Sequence, residues 1–142
     1  MPADLETLGR AIKQVQYRHH RALDSRLAAA GTTLAQWDAL RAISRHPGAS
    51  AHTLAVETFQ SDQSFGTLAN RLAAQDLITR RSGGGRRIEH RLTPAGQKVL
   101  RAGRPIAASV FKASFAELTE KERSTLLDLL LRVVGDRGLE NF

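Results

Sequence analysis

The sequence contains no cysteine. That excludes disulfides, thiolate nucleophiles and thiol-based redox sensing. The five histidines, at 19, 20, 46, 52 and 90, show no metal-ligand spacing, so neither a metal nor any other cofactor is expected. Aromatics are sparse, with one Trp, one Tyr and five Phe, which leaves Leu and Ala to fill most of the core. No apolar run approaches the roughly 20 residues of a membrane span. Met1 to Arg10 has no basic segment followed by an apolar stretch, so no signal peptide is expected. A cytoplasmic protein away from membranes is the simplest expectation. Ser82-Gly83-Gly84-Gly85 lacks the strand-to-helix setting and the Lys-Ser/Thr ending of a phosphate cradle, and no nucleophile or metal cluster stands elsewhere. An enzyme is therefore not expected.

What is present is basic and helical. Of 142 residues, 42% are apolar, enough for a folded core in a chain of single-domain length. Lys and Arg number 21 against 14 Asp and Glu, a net charge of +7 that favours an anionic partner.

From about Asp4 to Ala30, Leu5, Leu8, Ile12, Val15, His19, Ala22 and Arg26 step by three and four, with Leu23 and Leu27 beside them. This is the period of an amphipathic helix, ended by Gly31. So long a stripe predicts packing on a second subunit. Thr33 to Gln36 fits a capping box opening a second helix, with Leu34, Trp37, Leu40 and Ile43 inward and His46-Pro47-Gly48 as its stop. Ser50 caps a short third helix with apolar positions Leu54, Ala55 and Phe59. Gln60-Ser61-Asp62 breaks the pattern, and a fourth helix places Phe65, Leu68, Ala69 and Leu72 on one face. Two short helices across a tight polar turn read as a helix-turn-helix. Leu77 to Arg81 and Arg86 to Leu92 flank the glycine run as a β-hairpin, with Ile88, His90 and Leu92 inward. Thr93-Pro94 opens a fifth helix with Leu100, Ile106, Val110, Phe111 and Phe115 as its buried side and Pro105 as a kink. Thr119 to Glu122 is a second capping box. The sixth helix that follows, with Leu126, Leu127, Leu129, Leu130, Val133 and Val134, needs cover on several sides. Gly135 ends it, and Leu139 and Phe142 in the tail are candidates for docking on a partner.

The middle of the chain carries the chemistry. Arg71, Arg80, Arg81, Arg86, Arg87 and Arg91 stand against Asp76 and Glu89, a local +4. Arginines beside a glycine tip suit phosphates or a minor groove, and a charged edge that blocks strand aggregation is the plainer use. The outer face of the fourth helix bears Gln63, Gly66, Thr67 and Asn70, with Ser64 and Arg71 at its margins. Gln and Asn can pair with adenine edges and Thr with a base or the thymine methyl. Ser61 and Asp62 sit at the helix start, where free N–H groups can meet a phosphate. Gly66 costs a helix interior roughly 1 kcal/mol relative to Ala. Close approach of a partner and tight packing on the third helix account for it equally well. The expected fold class is mainly α with a small β-hairpin wing, a winged helix-turn-helix core plus helices from both termini. The expected DNA-binding residues are Ser61, Asp62, Gln63, Ser64, Gly66, Thr67, Asn70 and Arg71 on the helix, and Arg80, Arg81, Gly84, Gly85, Arg86 and Arg87 on the wing.

In this order the landmarks Gly31 to Trp37, Leu54-Ala55, Asp62-Gln63-Ser64, Arg71-Leu72, Asp76 to Arg80 and Leu92-Thr93-Pro94-Ala95-Gly96 resemble the MarR family over nearly the whole chain. The resemblance implies one domain over residues 1–142, with a winged-helix lobe at about 34–93 and dimerisation helices at about 4–31 and 94–135. It implies a homodimeric transcriptional regulator, a repressor in the usual case. Recognition helices would enter adjacent major grooves of a pseudo-palindromic double-stranded DNA site, and wings the flanking minor grooves. Arg86 matches the wing arginine of the family's Asp-x-Arg pattern, but Gly84 replaces the Asp, and Asp76 stands where Gly is usual. The family often binds small anionic aromatic effectors, for which Tyr17, His19, His20 and Trp37 are the candidate pocket. For His19 an interface hydrogen bond is the plainer role. The competing reading is a winged-helix protein-interaction module without sequence preference.

Overall fold

Each of the six helices begins where a Ser, Thr or Asp oxygen accepts from a free N–H of the first turn. These caps are Asp4, Thr33, Ser50, Ser61, Thr93 and Thr119. The structure, a computed structural model, describes residues 2–85 and 87–135. Along the chain run α1 (Leu5–Leu27), a 3-10 turn (Ala28–Ala30), α2 (Leu34–Arg45), α3 (Ala51–Glu57) and α4 (Asp62–Ala74). Then come β1 (Ile78–Ser82), β2 (Ile88–Leu92), α5 (Pro94–Ser114) and α6 (Glu120–Val134). This is the expected class, mainly helical with one antiparallel hairpin, paired from Ile78 with Leu92 to Ser82 with Ile88. Arg86 and the tail candidates Leu139 and Phe142 lie outside the described residues.

The box at Thr119 is complete, with Glu122 Oε1 accepting from the Thr119 N–H at 2.9 Å. The box expected at Thr33 is half formed. Thr33 caps Gln36 N, but the Gln36 side chain accepts from Thr32 Oγ1 instead.

Phe65, Leu27, Leu40, Ile43, Leu54 and Leu72 form the centre of the core. Here α2, α3 and α4 meet the C-terminal end of α1. The face of α1 that the chain itself buries is Leu23 and Leu27, while Leu5, Leu8, Ile12 and Val15 stay exposed. No residue of α6 is buried, and Leu127, Leu129, Val133 and Val134 are exposed. The cover expected for α6 is thus missing within the single chain.

Phe59 departs from the sequence reading. Helix α3 ends at Glu57, and Phe59 takes φ 57° beyond the C-cap with its side chain 85% exposed. Phe59 N donates to Val56 O and Gln60 N to Ala55 O, the paired bonds of a Schellman ending. That ending reverses the chain and carries Phe59 off the apolar face. Ile88 and Phe111 are also exposed where burial was expected. Ile88 lies at the tip end of β2, opposite Ser82, and Phe111 belongs to the half of α5 facing α1.

Helix α5 runs unbroken through Pro105 and buries a stripe made of Gly96, Leu100, Gly103, Ala107 and Val110. A Cβ on Gly96 would collide with the Leu77 carbonyl oxygen, and one on Gly103 with the Trp37 indole. The Thr93 hydroxyl donates to Asp76 O at 2.6 Å and accepts from Gly96 N. The Leu-Thr-Pro-Ala-Gly run is therefore a clamp that seats α5 on the end of the hairpin.

Candidate nucleic-acid interface

Helix α4 is anchored by Phe65, Leu68, Ala69 and Leu72, all buried, as their spacing predicts. That registration turns Gln63, Thr67 and Asn70 outward, each exposed, with Gly66 half-buried between them. A Cβ built on Gly66 meets nothing within 4 Å. Tight packing on α3 is thereby excluded as the reason for glycine. Ser61 and Asp62 have structural duties: Ser61 Oγ caps Ser64 N at 3.1 Å, and Asp62 holds His52 Nδ1 at 3.0 Å across the helix-turn-helix. Ser64 Oγ donates to Gln60 Oε1 at 3.1 Å, and Arg71 is exposed at the edge of the same face. An open concavity of about 460 Å³ lies against this end of α4, bordered by Gln60, Ser61, Gln63, Ser64, Thr67 and Arg71.

Helix α4 ends as α3 does. Leu77 N donates to Leu72 O and Asp76 N to Ala73 O, with Asp76 at φ 59°. This left-handed position suits Gly, and Asp is among the residues that tolerate it. The turn delivers the chain into β1. His90, 2% exposed, fastens β2 to the lobe. Its Nδ1 lies 3.0 Å from Ala49 O, its backbone exchanges bonds with Gly48 and Ala49, and its ring meets Phe65 edge-on. It is the packed, hydrogen-bonded residue the strand alternation predicts.

The hairpin stands out beyond this anchor. Gly84 and Gly85 take φ 96° and 63° at the tip, conformations open to glycine. Arg81 is exposed. Two of the expected wing cations are tied back to the protein: Arg80 Nη1 donates to Asn70 Oδ1 at 2.7 Å, and Arg87 Nη2 to Gly48 O at 3.2 Å. Among the described residues, Arg71, Arg80, Arg81 and Arg87 form no ion pair with a carboxylate. Their charge therefore stays available to an external anion. One protein surface thus carries a polar helix face beside an arginine-bearing hairpin.

The four expected effector residues are not gathered around this concavity. Trp37 is buried, and its indole N–H donates to Leu100 O at 3.1 Å through the gap that Gly103 leaves. His19 Nε2 lies 2.6 Å from Ser114 Oγ, with its ring edge-on to Phe111 and Phe115, so it joins α1 to α5. Tyr17 is exposed beneath the Arg21 guanidinium, 5.9 Å from its ring centre, and His20 is exposed. The Arg80–Asn70 bond and the His52–Asp62 pair had no signal in the sequence, since both bridge separate elements ten residues apart.

Residues 30–88 match the sequence model of the MarR family. A comparison with curated protein sequences returns no match. Among solved structures, a probable transcriptional regulator from Pseudomonas aeruginosa is 28% identical, with a TM-score of 0.78 over 88% of this chain and 95% of that one. A mutant MarR from E. coli complexed with operator DNA is 22% identical, with a TM-score of 0.83 over 94% of this chain and 100% of that one. A Mycobacterium tuberculosis MarR family protein complexed with salicylic acid is 22% identical, with a TM-score of 0.74 over 94% and 98% of the two chains. Residues 30–88 carry the MarR family's sequence pattern, and the chain folds as these structures do.

Proposed function

We propose that the protein is a sequence-specific double-stranded DNA-binding transcriptional regulator that acts as a homodimer on a pseudo-palindromic operator, most simply as a repressor. The observation that carries the reading is the outer face of α4. Gln63, Thr67 and Asn70 project from a helix whose opposite face is locked in the core, and the open flank of Gly66 lets the helix backbone come close to a partner. Side chains of this kind read base edges, while Arg71, Arg81 and the remaining wing arginines supply phosphate contacts. The E. coli structure of the same fold is complexed with operator DNA, which supports this use of the surface.

Homodimerisation is part of the proposal. The exposed apolar residues of α1, together with Phe111 and the uncovered α6, give the chain a large apolar surface that one copy cannot bury. In this arrangement residues of about 4–31 and 94–135 form the dimer and about 34–93 the DNA-binding lobe. A small anionic aromatic effector is a further element of the reading, supported by the salicylic acid complex of the Mycobacterium tuberculosis protein.

Anisotropy titrations against the DNA flanking the protein's own gene test the proposal. Binding in the nanomolar range to an inverted repeat, with affinity falling steeply as salt rises, is the expected result. Equal affinity for every duplex would leave only a basic surface without base readout.

A further inference from the structure

Asn70 and Arg80 form the only side-chain hydrogen bond between α4 and the hairpin among the described residues, at 2.7 Å with both groups exposed. A guanidinium has donors and no acceptor. The Asn70 amide must therefore turn its oxygen to Arg80, which fixes its –NH2 as the outward end. The bond is charge-assisted and of corresponding strength. Pairing an amide with adenine uses both ends at once, the –NH2 on N7 and the oxygen on the N6 amino group. In Asn70 the oxygen is turned toward Arg80, and one of its two lone pairs is taken by that cation. Two turns back on the same face, the Gln63 side chain has no hydrogen bond among the described residues and keeps both ends available.

We propose that Arg80 is a positioning residue for base readout: it holds Asn70 as a pure donor, so that Asn70 selects guanine or thymine over adenine. Guanine offers both N7 and O6 to such a donor and thymine offers O4, whereas adenine offers N7 beside an N6 amino group that a donor repels. The inference rests on the DNA-binding reading above and adds to it the base class read at one position of each half-site. It also moves Arg80 from a wing contact to a residue acting through α4.

The test selects preferred sites from a pool of randomised duplexes with the full-length chain and three variants. Asn70→Ala identifies the position that Asn70 reads, because base preference there flattens. At that position the unaltered protein favours guanine or thymine over adenine by roughly fivefold or more. Arg80→Met frees the amide and shifts that position alone toward adenine by a similar factor. Asn70→Asp keeps the bond to Arg80, removes the donors and shifts the position toward cytosine, whose amino group a carboxylate accepts. An unaltered melting curve confirms that each variant folds. A preference for adenine in the unaltered protein, or no position that depends on Asn70, overturns the inference. So does an Arg80→Met variant that weakens all sequences alike and lowers the salt slope by about one, the behaviour of a plain phosphate contact. In each of those cases the chain still enriches a site. A pool in which it enriches nothing defeats the DNA-binding reading itself.

Discussion

Phe59 and Asp76 hold equivalent places, each one residue past the C-cap of a helix in left-handed backbone, yet their energetics differ. A bulky side chain there costs about 1–2 kcal/mol, and an exposed ring recovers little of it by burial. Phe59→Gly is expected to raise stability by up to about 1 kcal/mol in chemical denaturation, after the extra entropy of glycine in the unfolded chain is subtracted. Asp76→Gly should stay within about 0.5 kcal/mol, because Asp already tolerates the position. Gly66 behaves in the opposite sense. Its open flank admits a methyl group, so Gly66→Ala should stabilise α4 by up to ~1 kcal/mol. The same methyl group would stand between the helix backbone and DNA. Operator affinity is expected to fall roughly tenfold while the melting temperature rises, about 1.4 kcal/mol lost in binding. Affinity that is unchanged in the more stable variant would remove the close-approach argument.

Among the elements, α5 and α6 show what periodicity conveys and what it hides. The capping signals at Thr33, Ser50, Thr93 and Thr119 were legible because a cap is local: side chain and N–H lie within three residues. The apolar face of α4 was legible because Phe65, Leu68, Ala69 and Leu72 recur at helical spacing. The buried stripe of α5 was legible only at Leu100 and Val110, since Gly96 and Gly103 are set by what approaches them, the Leu77 carbonyl and the Trp37 indole. Gly103→Ala should therefore cost 1–3 kcal/mol in denaturant unfolding despite adding helix propensity. A neutral result would mean that Trp37 repacks freely. The cap of α6 has a pH signature. Glu122 accepts from the Thr119 N–H, then from the Thr119 hydroxyl, and both bonds hold its carboxyl below the usual range. A lowered pKa gives stability that is present above the ordinary carboxylate range and is lost as pH falls through the folded value. Helical circular dichroism should therefore decline between about pH 5 and 3, and less so in Glu122→Gln.

At the scale of the whole molecule, the unburied apolar residues matter most. Leu5 is 81% exposed and Val133 77%, at opposite ends of the chain. The proposed second subunit would cover both. Leu127→Glu, on the exposed side of α6, should shift sedimentation toward monomer and weaken operator binding together, since each half-site then binds alone. A variant that stays dimeric would place the interface elsewhere. The hairpin, the helix-turn-helix and the face of α4 were readable from turn chemistry and spacing. The ties of Arg80 and Arg87 were not, because a long side chain's partner depends on which elements fold beside it. The most direct test of the central reading is a titration of one selected inverted repeat, its single half-site and an unrelated duplex, at two salt concentrations, with stoichiometry measured. The account predicts two chains per repeat, much weaker binding to the half-site, and preference over the unrelated duplex by roughly a thousandfold or more. One chain per duplex with equal affinity for all three would contradict it.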